Sequence, residues 1–355
     1  MKNLIVLALL ISIHLTGYSQ KKKYPKNIIL MVGDGMGVAQ VYAGLTANHG
    51  KLNLERCTAV GFHKNQATDD FVTDSAAGAT AFACGQKTYN GAIGVDASGK
   101  SIPTILELAE LNGLATGLVA TCSITHATPA CFISHQPSRS LNENIALDFL
   151  KTDVDVFIGG GRKFFTKRSD GLNLADSLKA RGYQIANSIT EVQQVTSGKL
   201  AAFLADEQQA KFSAGRGDEL VKSTVATLQL LSSNKKGMFL MIEGSQIDWG
   251  GHGNDTKYIV DEMIDFDNAI GKVLDFANED GKTLVIITAD HETGGFSIID
   301  GDFKTGMVEG KFTTGSHTGI MIPVFAYGPG AEEFSGIYEN SDIFHKMMAA
   351  FQFKK

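Results

Sequence analysis

The chain has few cysteines, little proline and a single tryptophan: 4 Cys, 6 Pro and 1 Trp in 355 residues. Cysteine this sparse excludes a small disulfide-stapled scaffold, and proline this sparse excludes a proline-rich low-complexity chain. Basic charge is not in excess either. Lys and Arg number 32 against 38 Asp and Glu, a formal net charge of -6, so no surface for nucleic acid is expected. Beyond the N-terminal residues, no apolar run is long enough to span a bilayer. Glycine is plentiful, at 39 residues, and marks a turn-rich globular chain. The length allows one large α/β domain or two ordinary ones, with a substantial core.

The first residues, M-K-N-L-I-V-L-A-L-L-I-S-I-H-L-T-G-Y-S-Q, read as a secretory signal. Lys2 opens it, Leu4 to Leu15 form a short apolar stretch, and Gly17-Tyr18-Ser19 offers a cleavage region. The expected division is a signal peptide over 1–19 and one domain over 20–355. The exported product would have no membrane anchor and would reside in a periplasm or outside the cell. In that oxidising setting the four cysteines could pair in three ways. Cys122 with Cys131 is the expected pair, and Cys84 is expected to be a buried free thiol.

Short apolar strands alternate with amphipathic helices. Strands are predicted at Asn27 to Val32, Ala115 to Ala120, Val154 to Ile158, Met238 to Ile242, Leu284 to Thr288 and Val324 to Tyr327. Helices are predicted from about Val38 to near Gly50, and over Pro103 to Leu111, Pro129 to His135, Asp218 to Leu231 and Thr256 to Ala277. This pattern predicts a three-layer α/β/α sandwich around a mostly parallel sheet. Ligands of such sheets bind beyond the carboxyl ends of the strands. Asp34, Glu243 and Asp290-His291 each stand at such an end.

In E-G-S-Q-I-D-W-G-G-H, Asp248 and His252 are four apart and share one side of a helical turn, a pairing suited to zinc. T-A-D-H-E-T-G-G supplies Asp290 and His291. His291-Glu292 does not begin a zinc-protease HExxH, because position 295 is Gly. G-S-H-T-G places His317 in a flexible turn. Oxygen donors outnumber imidazoles in this set and no Cys belongs to it, which suits a mixture of Zn²⁺ and Mg²⁺. Paired metals suit phosphoryl transfer. V-T-D-S-A-A-G places Asp74 and Ser75 before a run of small residues, so that Asp74 caps a helix and Ser75 stands where an alkoxide and a phosphate are stabilised. Arg139 in H-Q-P-S-R could clamp phosphate bidentately. His49, His63, His135 and His345 read as surface or packing residues.

With M-V-G-D-G-M-G, V-T-D-S-A-A, H-A-T-P-A, E-G-S-Q-I-D-W-G-G-H, T-A-D-H-E-T-G-G and G-S-H-T-G in this order, the chain resembles the bacterial alkaline phosphatases. The resemblance runs from about Asn27 to near the C-terminus. It implies an alkaline-phosphatase-like fold and hydrolysis of small phosphate monoesters through a phosphoserine, favoured at alkaline pH. It also implies two Zn²⁺ and one Mg²⁺ per chain, and a homodimer. Ser75 would be the nucleophile, with Asp34, Asp290 and His291 around one zinc. Asp248, His252 and His317 would hold the other zinc, and Asp34, Thr128 and Glu243 the third metal. Arg139, oriented by Asp74, would clamp the phosphate. One well-known bacterial pattern has Asp where His126 stands and Lys where Trp249 stands, so these two positions, close to the phosphate and the third metal, leave that metal's identity open.

Other readings remain. A phosphodiesterase or phosphonate hydrolase would share the metals, and a metal- or phosphate-binding protein would keep the ligands without needing Ser75. A sulfatase is not expected, because Asp74-Ser75-Ala76-Ala77 lacks the Cys/Ser-x-Pro-x-Arg pattern for cofactor maturation. Gly33-Asp34-Gly35-Met36-Gly37 is not a dinucleotide-binding G-x-G-x-x-G. The segment between His291 and His317 is short, so an open site with little leaving-group selectivity is expected.

Overall fold

A computed structural model describes residues 24–353. The leader-like stretch over 1–19 lies outside the described residues. The strands in chain order are β1 (Asn27–Gly33), β2 (Ala59–Lys64), β3 (Ala115–Ser123), β4 (Val156–Gly160), β5 (Tyr183–Ala186), β6 (Lys199–Phe203), β7 (Met238–Gly244), β8 (Thr283–Thr288), β9 (Glu292–Thr293), β10 (Ser297–Asp302), β11 (Met307–Lys311), β12 (His317–Thr318), β13 (Ile322–Tyr327) and β14 (Gly336–Glu339). Ten of them form one sheet in the order β14-β2-β13-β8-β1-β7-β3-β4-β6-β5. Only β13 runs against its neighbours. The rest are parallel, as expected of strands that read as continuous apolar runs.

The central strands β1, β3, β7 and β8 are buried along their whole length. Alternate side chains of β1 feed two separate cores. Ile28, Leu30 and Val32 pack with Ala76, Phe82, Ile105 and Met347 on one face. Ile29 and Met31 pack with Met263, Phe266, Ile270 and Leu274 on the other. The helices Ser75–Cys84, Ile105–Leu111 and Asp342–Phe351 therefore cover one face. The helices Glu219–Leu231 and Thr256–Asp280 cover the opposite face. This is the expected three-layer sandwich.

The parallel register sets the position of the site. Val32 pairs with Glu243 and with Thr288, and Ala120 pairs with Glu243. Strands β1, β7 and β8 therefore finish within a residue of one another while β3 runs two residues beyond β1 and β7, and the residues at these ends meet along one edge.

Several local expectations are corrected. Glu243 lies within β7 rather than after it. His317 belongs to β12, where it pairs with Thr293 of β9, rather than to a flexible turn. The segment between them folds into the β10–β11 hairpin. The helix expected over Pro129 to His135 is only Ala127–Ala130. Two long-range contacts end it: Thr104 Oγ1 donates to the Phe132 carbonyl at 2.7 Å, and Gln136 bridges to Ile93. The helix expected from Pro103 starts at Ile105, because Thr104 and Glu107 close a capping box there. No disulfide joins Cys122 to Cys131. All four cysteines are free thiols, and the two face different neighbours. Cys131 Sγ lies 3.3 Å from the Ala76 carbonyl, whereas Cys122 Sγ lies 3.3 Å from Glu243 Oε2.

Candidate active site

Asp34 follows β1, and its N–H donates to the Gly244 carbonyl at 3.1 Å. The turn after it requires Gly35. Its φ is +74°, and a Cβ there would stand 2.6 Å from Asp248 Cα, so only glycine allows Asp34 and Asp248 to share the site.

Ser75 opens the buried helix Ser75–Cys84, with Asp74 as its cap. One Asp74 oxygen accepts from the Ala77 N–H at 2.9 Å. The other accepts from the Gly91 N–H at 3.0 Å and from Arg139 Nη1 at 2.9 Å. Burial pushes the Asp74 carboxyl up, but the Arg139 charge and these hydrogen bonds outweigh it and hold its pKa low. Arg139 is held from its backbone as well, by its N–H on the Gly91 carbonyl at 2.7 Å. Its Nη2 donates to His126 Nε2 at 3.2 Å. Burial, and next the Arg139 charge, lower the His126 pKa to about 3. The His126 ring meets Trp249 edge-on, 6.3 Å between centroids.

Ser75 Oγ lies 3.2 Å from His291 Nε2. That nitrogen is also 3.3 Å from Asp34 Oδ1 and 3.4 Å from Asp290 Oδ2. Its tautomer follows from the other side of the ring. The Thr293 hydroxyl gives its proton to Asp248 Oδ1, so it can only accept from His291 Nδ1, 3.2 Å away. His291 Nε2 therefore presents a lone pair to Ser75 and the two carboxylates. Burial, with the neighbouring His317, lowers its pKa well below the usual value.

A second group joins the short helix Ile247–His252 to β12. His252 Nδ1 faces the Gly315 carbonyl at 2.8 Å, and His317 Nδ1 faces the Thr73 carbonyl at 2.9 Å. A carbonyl only accepts, so both Nδ1 atoms carry the proton. The two Nε2 lone pairs then face each other at 3.2 Å. Asp248 Oδ1 lies 3.4 Å from one and 3.6 Å from the other. Three acceptors this close repel unless a cation stands among them.

The third group is Cys122, His126 and Glu243. The Glu243 Oε1, Thr128 Oγ1 and Ser245 Oγ atoms are buried without a hydrogen-bond partner. Both oxygens of Asp34 and one of Asp290 are likewise unpartnered. Burial first, then Asp290, Asp248 and Glu243, push the Asp34 pKa far up. Burial raises Asp290, and burial followed by Asp290 raises Glu243 to about 7. Buried carboxylates without partners are costly, and oxygen and imidazole donors at these spacings match the needs of divalent cations. The residues fit a multi-metal centre.

The structure thus brings Asp34, Ser75, Thr128, Glu243, Asp248, His252, Asp290, His291 and His317 to one sheet edge, with Asp74 and Arg139 beside Ser75. Thr293, which links Asp248 to His291, was not singled out from the sequence, although it lies inside the T-A-D-H-E-T-G-G stretch. Nor was Cys122 placed in the metal-binding set. His63 is buried behind the site, with Nε2 2.9 Å from the Ala289 carbonyl. His135 contacts Gly94 and Glu107.

The family model that matches this chain is described as alkaline phosphatase, over residues 25–310 and 302–353. Alkaline phosphatase 4 of Bacillus subtilis is 34% identical, the match covering 91% of this chain and 88% of that protein. The alkaline phosphatase of Escherichia coli is 31% identical, covering 95% and 88%. The solved alkaline phosphatase of the Antarctic bacterium TAB5 is 44% identical, with a TM-score of 0.89 over 94% of this chain and 100% of that one.

Proposed function

The chain belongs to the alkaline phosphatase family and is a metal-dependent phosphomonoesterase, and we propose that it works through a phosphoserine formed on Ser75. One observation carries this reading. Ser75 Oγ lies at the N-terminus of a buried helix, 3.2 Å from His291 Nε2, with the Arg139–Asp74 pair beside it.

Asp34, Asp290 and His291 would hold one zinc next to Ser75. Asp248, His252 and His317 would hold a second. Thr128 and Glu243, with Asp34, would hold a third divalent ion. Bound cations supply Lewis acidity, which favours the ionised forms of a serine and of water and offsets charge on a departing oxygen.

The protein's own groups do the rest. Arg139 binds two non-bridging phosphoryl oxygens, which a monoester offers more readily than a diester. Asp74 fixes the guanidinium, so little orientation is left to be lost on binding. The helix N-terminus adds a favourable field for the phosphate. Ser75 Oγ attacks phosphorus, the bond to the alcohol oxygen breaks on the opposite side, and the alcohol leaves. Water then attacks the phosphoserine, releasing inorganic phosphate and restoring Ser75. Arg139 stabilises the developing charge in both halves. The rate rises toward alkaline pH as serine and water ionise. The leader-like sequence supports export to a periplasm or the cell exterior, and the family supports a homodimer.

The test is release of phosphate from p-nitrophenyl phosphate and of p-nitrophenol from its bis-ester, by metal-loaded, metal-stripped and Ser75→Ala protein. Monoester turnover that stripping and the mutation both abolish supports the reading. Turnover confined to the diester would reassign the chain to a phosphodiesterase. Absence of turnover by loaded protein would make it a metal- or phosphate-binding protein.

A further inference from the structure

The third cation group contains a thiol that the sequence reading left out of the metal-binding set. Cys122 is the next-to-last residue of β3, and Glu243 lies near the end of the adjacent β7. The register pairs Ala120 with Glu243, which brings the Cys122 side chain alongside the carboxylate. Cys122 is fully buried. Its Sγ is 3.3 Å from Glu243 Oε2, and ligand atoms of Cys122, His126 and Glu243 all lie within 4.8 Å of one another. The surrounding oxygens independently point to a ligand. Glu243 Oε1, Thr128 Oγ1 and Ser245 Oγ are buried with no partner. A sulfur and an oxygen 3.3 Å apart can both reach one ion, since zinc–sulfur and zinc–oxygen bonds are about 2.3 and 2.0–2.2 Å.

Donor chemistry then decides which ion. Magnesium demands oxygen ligands and keeps several waters, whereas thiolate selects zinc or cobalt. On the multi-metal reading above, we propose that Cys122 supplies a sulfur ligand to the cation at Glu243. This position then takes a thiophilic ion such as zinc in preference to magnesium. The thiol proton is displaced to solvent on binding.

Cobalt substitution reads the sulfur ligand directly. The other two cation groups contain only carboxylate and imidazole, so only the third can give a near-ultraviolet sulfur-to-cobalt charge-transfer band. Stripped full-length protein is titrated with Co²⁺, and bound cobalt is counted by elemental analysis. The expected result is three cobalt ions and the band in the unaltered chain, and loss of the band in Cys122→Ser and Cys122→Ala. Circular dichroism melts of both variants establish that they fold. When loaded from equal zinc and magnesium, the unaltered chain is expected to hold three zinc ions, and Cys122→Ser to exchange one for magnesium.

Three cobalt ions without the band, or magnesium at the third position of the unaltered chain, would overturn the sulfur ligand and leave the phosphatase reading intact. A chain that binds no third ion would overturn it too. Turnover of p-nitrophenyl phosphate, measured on the same sample, then decides separately whether the phosphatase reading stands.

Discussion

Gly78 lies one helical turn after Ser75, on the side of the helix that faces Asp290. A Cβ built there would stand 3.0 Å from Asp290 Cβ and 3.3 Å from the Asp290 carbonyl oxygen. Comfortable carbon–carbon contact is about 3.5–4.0 Å, so Gly78→Ala must separate the helix from Asp290 by a few tenths of an ångström. Two effects on stability oppose each other. Alanine gains about 1 kcal/mol of helix propensity over glycine, and overpacking costs about 1–3 kcal/mol. The net change should run from near zero to about 2 kcal/mol of destabilisation. Activity has no such offset. Ser75 and Asp290 both converge on His291 Nε2, and a displacement of ~1 Å costs about 100-fold in rate. The expected fall in kcat is therefore roughly 4- to 10-fold, with stability between unchanged and about 2 kcal/mol lower. Urea unfolding and p-nitrophenyl phosphate kinetics on the same preparations measure the two effects. A variant with full kcat, or one stabilised by the whole helix-propensity gain, would refute the argument that this small-residue helix is packed to position its first residue.

Arg139→Ala should lower kcat/KM by on the order of 100-fold or more and stability by about 1 kcal/mol, since the Arg139–Asp74 pair is partly exposed; Arg139→Lys should recover only part of the activity, which steady-state kinetics will show. Metal removal should lower the melting temperature by roughly 15–20 °C, because each of the three ions, when free metal stands at about 1,000 times its Kd, contributes ~4 kcal/mol; calorimetry before and after chelation tests this. Glu243 is raised by burial to about 7 in the metal-free protein, above its unfolded value. That raised pKa favours the metal-free fold below the unfolded pKa, and the contribution is lost as pH rises through 7. Below pH 7 a cation must displace that proton and the Cys122 thiol proton as well, so affinity at the third position should fall about 100-fold per pH unit there; competitive titration against a metal indicator measures it, and a flat profile down to pH 5 contradicts it.

The central strands were legible because burial on both faces makes them continuous apolar runs, as in I-I-L-M-V of β1 and L-V-I-I of β8. The strands away from the sheet's centre were not. In β2, Gly61, His63 and Lys64 interrupt the apolar pattern, and the strand is held by pairing with β13 on one side and β14 on the other. The helix over Pro129 to His135 was overextended because its end depends on contacts with Thr104 and Ile93, distant in sequence. At the site, Asp248 and His252 were readable as a pair from spacing alone, one turn apart on a helix. Thr293 and Cys122 were not, since their roles depend on how β9 meets the helix bearing Asp248 and how β3 aligns with β7. The expected disulfide failed for a similar reason. Proximity in sequence gave Cys122 and Cys131, but one belongs to β3 and the other caps a short helix that faces Ala76 and Thr80.

The central claim is that Ser75 takes the phosphoryl group. Metal-loaded protein is mixed with a phosphate monoester, quenched in acid within the first turnovers and digested, and its peptides are analysed by mass spectrometry. The account predicts phosphate on Ser75 in the unaltered chain and no phosphopeptide from Ser75→Ala. Phosphate on another residue would contradict it, as would Ser75→Ala protein that still turns over monoester at the unaltered rate.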